Sequence, residues 1–231
     1  MSDIHGGYNE YLEMLEKIRF CKDDELYIIG DILDRGDKSA ELLMDIFSRD
    51  NVFPLMGNHE MMAIECLELI LQDVIKVNVK DLDFRNILLI QNWMANGGYA
   101  TIESFKRLQP KDRKYLLEKL KKLPLYKDIR VGENRFILAH SGLGNFKEDK
   151  SLDDYTKEEL LCRRNNYERC FQDENTYIIS GHTPVNYYGE PLVMFKNNHI
   201  AIDCGSRFGG SLACLELETF QEYYISDIDV F

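Results

Sequence analysis

Apolar positions along this chain follow two rhythms. Short unbroken runs, Leu26-Tyr27-Ile28-Ile29, Val52-Phe53-Pro54-Leu55-Met56 and Phe136-Ile137-Leu138-Ala139, read as buried strands. Elsewhere apolar residues recur at helical spacing. Leu12, Leu15 and Ile18 follow Asn9 as N-cap, Leu42, Leu43, Ile46 and Phe47 follow Ser39, and Met61, Met62, Ile64, Leu67 and Leu69 follow Gly57-Asn58-His59-Glu60. The order strand, glycine, polar cluster, helix repeats, which predicts an α/β fold whose parallel strands bring their polar clusters to one sheet edge. Asp3 and His5 alternate with Ile4, so an extended segment would project both to one side.

From Leu67 to Leu123 the chain reads mainly helical, divided at Asn96-Gly97-Gly98 and Pro110, with Tyr115, Leu116 and Leu120 on one face of the last helix. This insertion carries no titratable constellation and is expected to cover one side of a site or to serve packing only, with Trp93 as buried support. Strand character returns at Leu125 to Val131 and turns at Gly132-Glu133-Asn134. A helix is predicted over Lys157 to Arg164 and a strand at Tyr177-Ile178-Ile179-Ser180. Hairpin signals follow: Asn197-Asn198 between Val193–Phe195 and Ile200–Ile202, and Gly209-Gly210 before Leu212 to Leu217.

At 231 residues, one domain over 1–231 with the insertion at about 67–123 is the simplest division. The net charge of −12 argues against a broad nucleic-acid or anionic-membrane footprint, though bound cations can still reverse the field for an anionic substrate. The apolar run Met61–Val79 is interrupted by Glu65, Glu68, Gln72, Asp73 and Lys76, so no span is expected there. Six scattered cysteines without a C-x-x-C pair suit reduced thiols and, with no signal peptide visible, a cytoplasmic location.

The chemistry concentrates at the strand ends. Gly30-Asp31-Ile32-Leu33-Asp34-Arg35-Gly36 places two carboxylates and a guanidinium behind a strand, and folding alone does not call for them there. His5, His59, His140 and His182 all follow short apolar segments; His199 lies inside a hairpin and reads as structural. Each histidine taken singly would pass for a hydrogen-bonded structural residue. Together with Asp3, Asp31 and Asn58 they make a set of hard-oxygen and imidazole donors suited to divalent cations.

Asp3-x-His5-Gly6, Gly30-Asp31-x-x-Asp34-Arg35-Gly36 and Gly57-Asn58-His59-Glu60 resemble the three signature motifs of the calcineurin-like metallophosphoesterases. The Arg-Gly after the second aspartate and the full G-N-H-E are similar to the phosphoprotein phosphatase branch, bacterial type. Ala139-His140-Ser141-Gly142, Gly181-His182-Thr183-Pro184 and Ile202-Asp203-Cys204-Gly205 resemble that branch's later elements in the right order. The resemblance implies a β-sandwich of mixed sheets flanked by helices and a two-metal site. Asp3, His5 and Asp31 would hold the first ion, and Asp31, Asn58, His140 and His182 the second. It implies Mn²⁺, with Fe or Zn²⁺ as alternatives, and hydroxide attacking phosphorus in line. His59 would be the general acid, Asp34 would orient it, and Arg35 and Arg164 would bind phosphate. Arg164 is carried by Leu160-Leu161-Cys162-Arg163-Arg164, where the branch's tryptophan is absent; both arginines could instead cap a helix C-terminus.

The implied reaction is hydrolysis of phosphoserine or phosphothreonine in a protein, or of another small phosphoester. Dinucleoside polyphosphate hydrolases share nearly all of these motifs, and a silent module that binds phosphate or a partner is the alternative of another class. The family also carries a hydrophobic strand before Asp3, where this chain offers two residues. Either the natural chain is longer, or a shortened strand holds Asp3 and His5 less firmly.

Overall fold

β1 (Leu26–Ile28) and β2 (Val52–Pro54) pair in parallel, with Leu26 opposite Val52, as the repeated strand–helix pattern predicts. Their crossover is α2 (Ser39–Ser48), which buries Ala40, Leu42, Leu43 and Ile46. α3 (Asn58–Leu71) follows β2 directly. This computed structural model describes residues 1–71, 83–168, 171–189 and 191–226. The helical expectation for 72–82 lies outside the described residues.

Residues 1–6 run beside β1 without forming a regular strand. The Met1 amino group donates to the Tyr27 carbonyl at 3.0 Å, Ile29 N–H to Met1 at 2.9 Å, Asp3 N–H to Gly30 at 3.2 Å and His5 N–H to Asp31 at 3.0 Å. The expected extended alternation fails here, because Asp3 and His5 adopt φ of +54° and +48°. The two side chains converge through left-handed turns, not through strand pleating. α1 (Tyr8–Lys17) also departs from expectation. Gly7 occupies the N-cap, Asn9 lies inside the helix, and the buried face is Tyr11, Met14 and Leu15, with Leu12 exposed.

The helical middle forms α4 (Phe84–Ala95), α5 (Gly98–Lys106) and α6 (Pro110–Leu120), broken at the predicted Asn-Gly-Gly and proline. α6 buries Leu116, Leu117 and Leu120, whereas Tyr115 turns outward beneath Lys119. The second sheet is mixed. Its order is β3 (Tyr126–Val131), β4 (Asn134–Ala139), β5 (Thr176–Ser180), β7 (His199–Ala201) and β6 (Met194–Lys196), where β4, β5 and β7 are parallel and the edge strands antiparallel. β8 (Ser211–Leu215) does not turn back on β7 but forms a hairpin with β9 (Glu222–Ser226).

Strand pleating sorts the apolar residues into two layers. Phe136, Leu138, Ile179 and Ile200 face Ile29 and Leu55 of the first sheet, while Ile137, Ala139 and Ile178 pack on Leu143, Phe146 and Leu160. α7 (Lys157–Leu161) starts at a Thr156/Glu159 capping box and stops three residues short of prediction. Cys162 turns out of the helix at φ −126°, and Arg163 closes the helix end, its N–H donating to the Glu158 carbonyl at 3.1 Å. Among the described residues no helix is long and apolar enough to cross a membrane.

Candidate metal centre

Four strand ends feed one place. Asp31 follows β1, Asn58 follows β2 at the start of α3, His140 follows β4 directly, and His182 follows β5 by two residues. The N-terminal segment adds Asp3 and His5. Asp31 is the centre: its carboxylate lies 3.2 Å from His140 Nε2, 3.8 Å from His5 Nε2 and 3.7 Å from His59 Nε2. Two groups of ligand atoms gather within 4.8 Å, His5–Asp31–His59 and Asp31–His140–His182, and they share Asp31. Asp3 Oδ1 stands 4.0 Å from His5 Nε2. Asn58 Oδ1 lies 2.9 Å from both His140 Nε2 and His182 Nδ1.

Backbone carbonyls set the tautomers. His5 Nδ1–H donates to Leu33 at 2.9 Å, His140 Nδ1–H to Ile29 at 2.9 Å and His182 Nε2–H to Cys162 at 3.1 Å. Each ring thereby turns its other nitrogen towards the cluster, the orientation that a metal-ligating imidazole needs. Burial holds His5 well below its ordinary pKa, and burial with the charge of His140 takes His182 to about 4. Burial alone would lower His140, but the adjacent Asp31 carboxylate outweighs it and raises the ring to about 10. Asp31 resists its own burial and stays well below the usual carboxylate range, because His140 and His59 stabilise its charge. This buried acid–imidazole set with a shared carboxylate fits two adjacent cations.

His59 serves a different geometry. Its Nδ1–H donates to Asp34 Oδ2 at 2.7 Å, leaving Nε2 turned to the cluster. Burial opposes a charged ring, yet Asp31 and the bonded Asp34 prevail and raise its pKa above 6.5. Asp34 in turn accepts Trp93 Nε1–H at 2.9 Å and Thr101 Oγ1–H at 2.6 Å. The helical middle thus contributes two buried side chains to the site, beyond the cover expected of it.

Glu60 closes the third motif, and its role is not evident from the sequence. It is fully buried and accepts the N–H groups of Asp31, Ile32, Leu33 and Gly57 at 2.8–3.0 Å. One carboxylate therefore ties the second motif loop to the third. Asp203, also unassigned, is buried beside Asp3 and accepts Gly205 N–H at 3.0 Å; burial and Asp3 raise its pKa. The signal for both was the acidic residue inside a glycine-bounded motif.

Arg35 reaches His5 Nε2 at 2.6 Å and lies 3.3 Å from His59 Nε2, so it joins the cluster. Arg164 does not touch the cluster; it is exposed, with its guanidinium 5.5 Å from the Tyr187 ring centroid. Arg163 turns away to Asn145 at 2.6 Å. His199 is buried against Tyr167, in keeping with a structural residue. A cavity of about 740 Å³ beside Met1, Tyr27, Leu138 and Leu215 shares none of the candidate residues.

Residues 1–186 match the family described as calcineurin-like phosphoesterase. The chain belongs to that family. Among relatives of this calcineurin-like phosphoesterase, an asymmetrical bis(5'-nucleosyl)-tetraphosphatase PrpE of Geobacillus sp. (strain WCH70) is 26% identical over 95% of this chain and 91% of its own length. The serine/threonine-protein phosphatase 2 of Salmonella typhimurium is 27% identical over 94% of this chain and 91% of its own. The crystal structure of a candidate diadenosine tetraphosphatase superposes with a TM-score of 0.67 at 14% identity, covering 99% of this chain and 92% of that one. At that identity it supports the metallophosphatase fold alone. Family and site agree that the chain is a metallophosphoesterase with His and Asp groups able to hold metal.

Proposed function

We propose that this enzyme hydrolyses phosphate esters at a pair of divalent cations held by Asp3, His5, Asp31, Asn58, His140 and His182. The observation that carries it is the Asp31 carboxylate placed between His5 on one side and His140 and His182 on the other, which is what a two-ion clamp needs. These nitrogen and oxygen donors without thiolate would hold Mn²⁺, Fe or Zn²⁺, with Mn²⁺ taken from the family resemblance, and the bound pair would supply charge neutralisation and a water whose pKa is lowered to about 7.

The chain's own groups do the rest. As the bond between phosphorus and the leaving oxygen breaks, that oxygen takes a proton from His59 Nε2, and Asp34 holds the resulting ring in place through Nδ1. Arg35 and Arg164 offer forked N–H pairs to phosphate oxygens, a match lysine lacks. Two substrate classes fit this machinery. Sequence motifs favour phosphoserine and phosphothreonine, and relatives carry both names. Dinucleoside polyphosphates are favoured by one observation, that Arg35 and Arg164 each stack on an exposed aromatic ring.

The test is parallel turnover of a phosphoserine peptide and diadenosine tetraphosphate with Mn²⁺, in wild type and His59→Asn. Wild type turns over at least one; His59→Asn keeps its metal and loses roughly 10²–10⁴-fold in kcat. Unchanged turnover in the variant would remove His59 from its role. Inactivity of the metal-loaded wild type on both substrates would favour the silent binding module.

A further inference from the structure

Phe208 and Tyr187 lie outside every motif considered above, yet each carries a candidate phosphate arginine on its ring. Arg35 Cζ lies 4.4 Å from the Phe208 centroid and Arg164 Cζ 5.5 Å from that of Tyr187, both inside the reach of a cation–π contact. Both residues are open to solvent, Phe208 at 58% and Tyr187 at 69%. Phe208 is held outward by a tight loop. Its N–H and that of Gly210 both donate to Gly205, at 2.8 and 3.1 Å, and Arg207 next to it is paired with Glu10 at 2.7 Å. Tyr187 ends a short 3-10 turn, Val185–Tyr187, that is anchored by Val185 N–H to Asp203 at 2.9 Å.

The two pairs flank different halves of the centre. Arg35 reaches His5 and His59, whereas Arg164 lies two residues past Cys162, whose carbonyl accepts from His182. A guanidinium binds phosphate with its edge and stacks with its face. A ring beneath a phosphate-bound arginine is therefore placed against whatever that phosphate carries. Planar nucleobases gain from such a ring whatever their sequence, whereas a seryl or threonyl peptide presents no planar face.

We infer that Phe208 and Tyr187 are stacking platforms for the bases at the two ends of a dinucleoside polyphosphate, and that this class is the preferred substrate. The inference rests on the phosphoester-hydrolase function proposed above. Its test is kcat/KM for diadenosine tetraphosphate divided by kcat/KM for a phosphoserine peptide, measured with Mn²⁺ in wild type, Phe208→Ala, Tyr187→Ala and Phe208→Trp. The ratio is expected to fall roughly tenfold or more in each alanine variant, mainly through KM for the dinucleotide, and to be retained by Phe208→Trp. An unchanged ratio overturns the inference, because the ring then serves only to hold its arginine. Wild-type turnover of the peptide alone also overturns it while leaving the hydrolase function standing. If wild type turns over neither, the hydrolase function fails. The platforms are then judged by equilibrium binding of diadenosine tetraphosphate to wild type and Phe208→Ala, where tighter binding by wild type supports them and equal affinity overturns them.

Discussion

Asp3, His5, Asp31, Asp34, Arg35 and His182 all hold left-handed backbone, with φ between +48° and +73°. For a residue with a Cβ this conformation costs on the order of 1–2 kcal/mol, and it persists only where neighbours over-determine it. Here they do: Asp31 N–H is fixed by Glu60 and Asp34 N–H by Thr101 at 2.9 Å. The strain turns carboxylates and imidazoles inward where a relaxed turn would splay them. Residue chemistry also sets a pH limit. His59 must be protonated to act, and its pKa is raised above 6.5 by Asp31 and Asp34 against the effect of burial. Activity is therefore retained somewhat above that pH and falls as pH climbs through the raised value. In Asp34→Asn one of the raising charges is gone, so the basic limb of the kcat profile moves to lower pH. A limb that stays in place would show that another group supplies the proton.

Glycine spacing decides how closely the motif loops approach. A Cβ at Gly36 would stand 2.4 Å from the His5 carbonyl, and one at Gly57 would stand 2.3 Å from Asp31 Oδ1. Glu60 then binds the second loop from the first turn of α3, accepting four backbone N–H groups. Glu60→Gln replaces one acceptor oxygen by a donor facing those N–H groups. It is expected to lower the unfolding free energy by about 2–4 kcal/mol in urea titration, with no change in m. A variant as stable as wild type would mean that the loops hold without this tie. The strands and helices up to α3 were legible because their apolar rhythm is local. The bonds that Glu60, Trp93 and Thr101 make at the site were not, since each reaches a residue brought near only by folding, 27–67 positions away in the chain. The early end of α7 was missed for the same reason, since the Cys162 carbonyl accepts from His182, whereas the N-cap at Gly7 is set locally by its N–H donating to Ile4.

At the scale of the molecule, two parallel strand sets from separate sheets end at one edge, and the N-terminal segment is laid beside them by a run of backbone hydrogen bonds. Ten candidate residues were readable as motifs; nine meet at that edge, and Arg164 lies beside it on Tyr187. The motif resemblance implied Asp31 as the carboxylate common to both ions; residue spacing alone could not give it, since its place between the imidazoles depends on how the sheets face each other. The most direct check is anomalous diffraction at the manganese edge from crystals grown with Mn²⁺. Two peaks about 3.5–4 Å apart, one on each side of the Asp31 carboxylate, are expected. A single peak remote from Asp31, or none with the site otherwise ordered, would contradict the two-ion centre.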